Sequence, residues 1–218
     1  MSQIIHSIKI HPLQNRVDPF AQLIRTSARG AWMGNRGLIH NEHQQIIRPF
    51  RLKAWITCLL EFKDRHRAVM TPNLYTELFF LDEATAFSSG HRPCAECRRA
   101  DFNLFKAAWV RGNPLYMYNT KTPIGEVDEI LHRERMNPNG DKSTYREILG
   151  ELPEGSFIEY NGRPYMIGHS NSVIGWTPFG YTDSIYIPPS TEVSVLTPKS
   201  IVNAFRSGYL PQIHKSAR

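Results

Sequence analysis

At 218 residues the chain has room for one sizeable domain, or for one domain with a small appendage. Its 41% hydrophobic and 11% aromatic content belongs to a chain that folds around a core, which sets aside a disordered or fibrous class. Three cysteines do not make a disulfide framework, no run of about 18 apolar residues is present to span a bilayer, and residues 1–7 lack the apolar stretch of a secretion signal. The expectation is a cytoplasmic protein with no membrane partner, whose net charge of +6 suits a polyanion.

Residues 1–50 carry little periodicity and read as an irregular N-terminal segment. Inside it, residues 28–37 hold Gly30, Gly34 and Gly37 together with Arg29 and Arg36, and read as an ordered loop. His40 and His43, three positions apart, are candidates for a shared metal or for a base. Residues 54–62 alternate as a strand that places Ile56, Cys58, Leu60 and Phe62 on one face. Cys58 then behaves as a small apolar residue, unless this strand runs beside further thiols. Lys63-Asp64-Arg65 reads as a hairpin tip with residues 67–70 returning, and residues 75–81 as a third strand. Asp82 caps a helix over residues 83–89, which Gly90 ends in the left-handed conformation.

The chemistry concentrates in Gly90-His91-Arg92-Pro93-Cys94-Ala95-Glu96-Cys97-Arg98-Arg99. Two thiolates separated by two residues can reach one tetrahedral ion, because the backbone between them turns tightly. His91, Arg92, Arg98 and Arg99 surround the pair, and neighbouring cations favour the thiolate form. A structural zinc needs further donors, for which Cys58 and His91 lead and His40, His43 and His66 follow. A redox dithiol and a merely packed turn are the competing readings.

A helix follows to about residue 110, with Phe102, Phe105 and Trp109 on one face. Thr122-Pro123 opens another, with Val127, Ile130 and Leu131 as its apolar stripe. Glu134 falls on the same side as that stripe, and Asp128, His132 and Arg135 share an adjacent face; His132 and Glu134 are a candidate acid/base pair, and a salt-bridged helix face is the alternative. Thr144 and Glu147 form a capping box for a short helix ending at Gly150. Beyond residue 154 the pattern turns to short strands: Asn161-Gly162 marks a two-residue hairpin, residues 172–177 and 185–188 read as strands, and a helix closes the chain near residue 206. The expected fold class is α+β: an antiparallel strand meander packed with short helices around the thiol turn, plus a small β-rich C-terminal subdomain. The expected divisions are 1–50, a metal-binding core at 51–112, a helical segment at 113–153, and 154–218.

The stretch Leu78-Phe79-Phe80-Leu81-Asp82-Glu83-Ala84-Thr85-Ala86-Phe87-Ser88-Ser89-Gly90-His91-Arg92-Pro93-Cys94-Ala95-Glu96-Cys97-Arg98 resembles the zinc-binding N-terminal domain of the Ada methyl-phosphotriester DNA repair proteins. That family shows an aromatic strand, an acidic-alanine helix, a glycine, and then Arg-Pro-Cys-x-x-Cys-Arg. The resemblance covers residues 78–99 and implies a zinc module that docks on DNA backbone, with Cys94 and Cys97 as one ligand pair. The family draws its other two ligands from an upstream cysteine pair; here Cys58 stands alone upstream, and the Pro-Cys-His-Arg signature of the alkyltransferase domain is absent.

Three functions follow as expectations. One is a zinc- and nucleic-acid-binding protein of DNA repair or processing, DNA before RNA, with Arg92, Arg98, Arg99, Lys63 and Arg65 on phosphates. The alternative is a metal-dependent nuclease: Glu61-Phe62-Lys63 matches the Glu-x-Lys half of a Mg²⁺ site, with Glu61, His132 and Glu134 as catalytic candidates. The third is an interaction protein whose metal only supports the fold.

Overall fold

The computed structural model of the protein describes residues 11–64, 68–137 and 139–217. The elements run β1 (Gln14–Val17), β2 (Leu23–Arg25), β3 (Trp32–Asn35), β4 (Ile56–Cys58), β5 (Leu78–Phe80), α1 (Glu83–Ser88), β6 (Arg92–Pro93), α2 (Arg99–Gly112), α3 (Ile124–Arg135) and β7 (Tyr145–Ile148). They continue with β8 (Phe157–Tyr160), β9 (Arg163–Ile167), β10 (Val173–Thr177), β11 (Gly180–Ile185), β12 (Glu192–Val195) and α4 (Lys199–Arg206). The α+β class holds, built as two six-stranded sheets: β2-β1-β5-β3-β4-β6, and β11-β10-β9-β8-β12-β7. No helix among the described residues is long and apolar enough to cross a membrane.

In the first sheet β3 lies between β5 and β4, so those two strands are not neighbours, and β1·β5 and β4·β6 pair in parallel. The strand anticipated over residues 54–62 shrinks to β4. Past Cys58 the chain leaves the sheet, Leu59, Leu60 and Glu61 are exposed, and Lys63 and Asp64 turn through positive φ. The glycine-rich loop anticipated at 28–37 supplies β3 instead. In the second sheet the Asn161-Gly162 turn joins β8 to β9, with φ of 51° and 74° at its two residues. The helix anticipated from Thr144 is instead β7: residues Tyr145 to Ile148 pair antiparallel with β12 from Val195 to Glu192, and that ladder overrides the local capping signal.

The helices pack as their periodicity required. Phe87, Phe105, Trp109, Leu131 and Phe205 form one core across α1 to α4. A second joins the sheets, with Leu81 and Ala84 against Phe157, Met166 and Leu196. Asp82 ties this junction together. One carboxylate oxygen caps α1, accepting from Thr85 N at 2.8 Å and Thr85 Oγ1 at 2.7 Å. The other accepts from Tyr181 Oη at 2.7 Å and His214 N at 3.0 Å. Asp82→Ala removes a helix cap and strands a buried tyrosine hydroxyl, so a loss of about 3 kcal/mol or more is expected in urea unfolding.

Candidate metal centre

The parallel register Ile56↔Arg92 and Thr57↔Pro93 sets β4 beside β6 and so carries Cys58 up to the thiol turn. Cys94 N donates to Thr57 O at 2.8 Å, and Arg98 N closes the turn on Cys94 O at 3.1 Å. The condition for a ligand role at Cys58 is therefore met. The Sγ atoms of Cys58, Cys94 and Cys97 all lie within 4.8 Å of one another. Tetrahedral zinc with Zn–S bonds of about 2.3 Å holds its sulfurs about 3.8 Å apart, so small side-chain rotations suffice to bring the three onto one ion.

The centre is recessed but reachable. Cys58 and Cys94 are buried and Cys97 is half-buried. The three sulfurs border a cavity of about 150 Å³ whose wall also includes Asn35, Tyr75 and Glu96. That is space for several waters at about 30 Å³ each, beside a donor set with one tetrahedral position left over.

The three thiols differ in acidity. A hydrogen bond from the Cys58 thiol pulls Cys94 down to about 5, against its burial and with help from the backbone N–H groups of Cys97 and Glu96. Cys58 is pushed up by that same bond and by burial, and Cys97 is pushed up chiefly by burial. The metal-free centre is thus one thiolate beside two thiols. A divalent ion held there would displace those two protons.

The other predicted residues lie elsewhere in the fold. His91 stands outside the cysteine triad: Arg36 Nε donates to its Nε2 at 3.3 Å, Nδ1 is 2.8 Å from Ser89 Oγ, and its ring packs on Trp55 and Phe80. His40 is consumed by Thr76 Oγ1 at 2.6 Å and Thr71 O at 3.2 Å, while His43 is exposed beside Glu42.

Two of the arginines expected on phosphates are buried. Arg92 makes a two-pronged pair with Asp128, both bonds 2.7 Å, and Arg98 pairs with Glu83 and Asp101. The physical reason is local: Arg98 sits at the start of α2 facing the carboxylate of α1, and Arg92 lies in the sheet opposite α3. Arg99 and Lys63 do reach solvent, and Arg65 and His66 lie outside the described residues.

The catalytic candidates do not assemble. Glu61 is exposed on the turn after β4. His132 packs edge-on against Phe50, with Nδ1 3.2 Å from Arg135 Nη2. Glu134 caps α4 by accepting from Ser200 N at 3.0 Å and Ser200 Oγ at 2.6 Å. Among the described residues the cysteine triad is the one cluster of three or more candidate ligands. Comparison with protein-family models, with curated proteins and with solved structures returned no match for this chain.

Proposed function

We propose that the chain binds one zinc ion through Cys58, Cys94 and Cys97 and engages nucleic acid, DNA before RNA, in repair or processing. The observation that carries the reading is the convergence of three sulfurs from two separate chain segments on one point beside an open cavity. Soft thiolate donors favour zinc over magnesium or calcium. The resemblance of residues 78–99 to the Ada zinc domain points the same way. The cationic surface for phosphates then draws on the exposed side chains Arg29, Lys63 and Arg99, in place of the buried Arg92 and Arg98.

Mobility-shift titrations against duplex DNA, single-stranded DNA and RNA test this reading. With three phosphate contacts, the logarithm of affinity falls with the logarithm of salt at a slope of about −3. The double variant Lys63→Ala/Arg99→Ala flattens that slope by about 2. Binding that is absent for all three nucleic acids, or independent of salt, overturns it.

A second reading rests on the donor count. Three protein ligands with a fourth position facing a cavity are the pattern of catalytic zinc, which activates water, and the substrate would again be a nucleic acid. Zinc-dependent cleavage that vanishes in Cys94→Ser separates this reading from simple binding.

A further inference from the structure

Around the buried Trp55 ring, positive charge accumulates without enough negative charge to balance it. The guanidinium of Arg36 stacks 3.9 Å from the centroid of the Trp55 ring and that of Arg135 4.0 Å from it. Arg36 is 2% exposed and Arg135 fully buried. Lys142 joins them, its Nζ donating to Ser88 O, and His91 lies among the three.

Their contacts are mostly neutral. Arg36 donates twice to Ala21 O at 3.1 Å and once to His91. Arg135 donates to Gly90 O and Lys53 O, and its Nε has no partner. Gly90 makes that approach possible: with φ +85° it needs no Cβ, and a Cβ there would meet Arg135 Cδ at 2.4 Å.

The acids are few. Asp18 faces Arg36 and Lys142, while Asp128 and Glu129, which act on Arg135, are held by Arg92 and by Lys53. Three cations against one uncommitted carboxylate is an imbalance that a buried site relieves only by losing a proton or gaining an anion. The proton balance already shows the tension: burial, together with repulsion from Arg36 and Arg135, draws Lys142 down to about 7.

The cluster is not sealed. A cavity of about 500 Å³ opens beside it, bordered by Arg36, Lys142, Gln22, Asp141, Phe20 and Met136. Asp141 is exposed at its rim and turned to the Asn137 loop through Asn137 Nδ2 at 3.4 Å. The polar wall offers a planar guanidinium and a point-like ammonium, the two donors that recur around phosphate. Phe20 and Met136 add an apolar wall. Arg36 is recessed beneath the surface, which admits a terminal phosphate and excludes the backbone of a duplex.

We propose that this cavity binds a small phosphate monoester, its oxygens on Lys142 Nζ and the Arg36 guanidinium and its organic part against Phe20 and Met136. The site is independent of the zinc centre, and neither reading stands or falls with the other.

Thermal unfolding and calorimetric titration of the full chain with inorganic phosphate, adenosine monophosphate and adenosine test it. Phosphate and the nucleotide raise Tm by roughly 3–6 °C at about ten times their Kd, and adenosine leaves it unchanged. Lys142→Gln weakens phosphate at least about tenfold, the loss of one charge-assisted hydrogen bond, while Lys142→Arg restores most of the affinity.

A readout on the unmutated protein covers a variant that does not fold. Acetic anhydride labelling followed by mass spectrometry should show Lys142 protected by phosphate and the exposed Lys121 unaffected. The proposal is overturned by no shift with either phosphate compound, by an undiminished shift in Lys142→Gln, by an equal response to adenosine, or by labelling of Lys142 that phosphate does not slow.

Discussion

Arg98→Met is expected to lose about 3–5 kcal/mol of folding stability, the range for removing one partner of a buried ion pair, and for a chain of this length that lowers Tm by roughly 6–20 °C. The arginine side chain is fully buried and its partner Glu83 is 1% exposed, so neither charge can fall back on water. Its other contacts make the loss larger than one bond: Nε donates to Asp101 at 2.9 Å, Nη1 to Thr57 Oγ1 at 3.1 Å, and the guanidinium stacks 3.9 Å from the centroid of the Trp32 ring. Burial works against the charge, yet the Glu83 carboxylate more than offsets it and holds the arginine above its ordinary pKa. Glu83 keeps Tyr209 Oη at 2.8 Å and Gln212 N at 2.9 Å after the substitution, but both are neutral donors facing a full negative charge. Because Thr57 also anchors Cys94, the variant should weaken metal binding along with the fold. Urea unfolding with and without added zinc measures both effects. Arg98→Lys should recover little, since an ammonium cannot span the same three acceptors.

Cys58→Ser is expected to weaken zinc about 10²–10³-fold. Binding energies of roughly 10–16 kcal/mol shared over the ligands of a thiolate zinc site leave about 3–4 kcal/mol for each. Cys94→Ser and Cys97→Ser should do the same, and His43→Ala, on an exposed loop, should do nothing. Competition with a chromophoric chelator reads the affinity directly. The pH dependence has a definite sign. With Cys94 at about 5 and both Cys58 and Cys97 raised, one thiolate and two thiols are present near neutrality, so zinc entry releases two protons. Affinity therefore rises with pH by about 100-fold per unit near pH 7, and falls as the solution is acidified.

Much of the helical half was legible from spacing alone. Phe102, Phe105 and Trp109 turned inward as their helical period demanded, and Asp82 and Gly90 bracketed α1 through cap chemistry that depends on neighbours a few residues away. The Asn161-Gly162 hairpin was legible for the same reason. What escaped was set by long-range pairing. Nothing local to Tyr145 reveals that β12 will claim it, and nothing in residues 28–37 reveals that β3 will slot between β4 and β5.

The metal centre divides along the same line. Cys94 and Cys97 were visible by their separation, whereas Cys58 was a candidate on the condition that its strand ran beside the thiol turn, and that condition is met through the two-residue strand β6, a pairing too short to carry a periodic signal. The arginines misled because charge suggests a surface. Arg92 and Arg98 each found a carboxylate on another element, and a sequence does not display such partnerships. Arg36, Arg135 and Lys142 lie more than a hundred positions apart at the extremes and meet only in the folded chain.

X-ray absorption at the zinc edge, on protein purified without chelators, addresses the centre most directly. Three sulfur neighbours at about 2.3 Å with one nitrogen or oxygen at about 2.0–2.1 Å are expected, falling to two sulfurs in Cys58→Ser. A metal-free folded protein, or zinc ringed by nitrogen and oxygen with no sulfur, contradicts a site built from Cys58, Cys94 and Cys97.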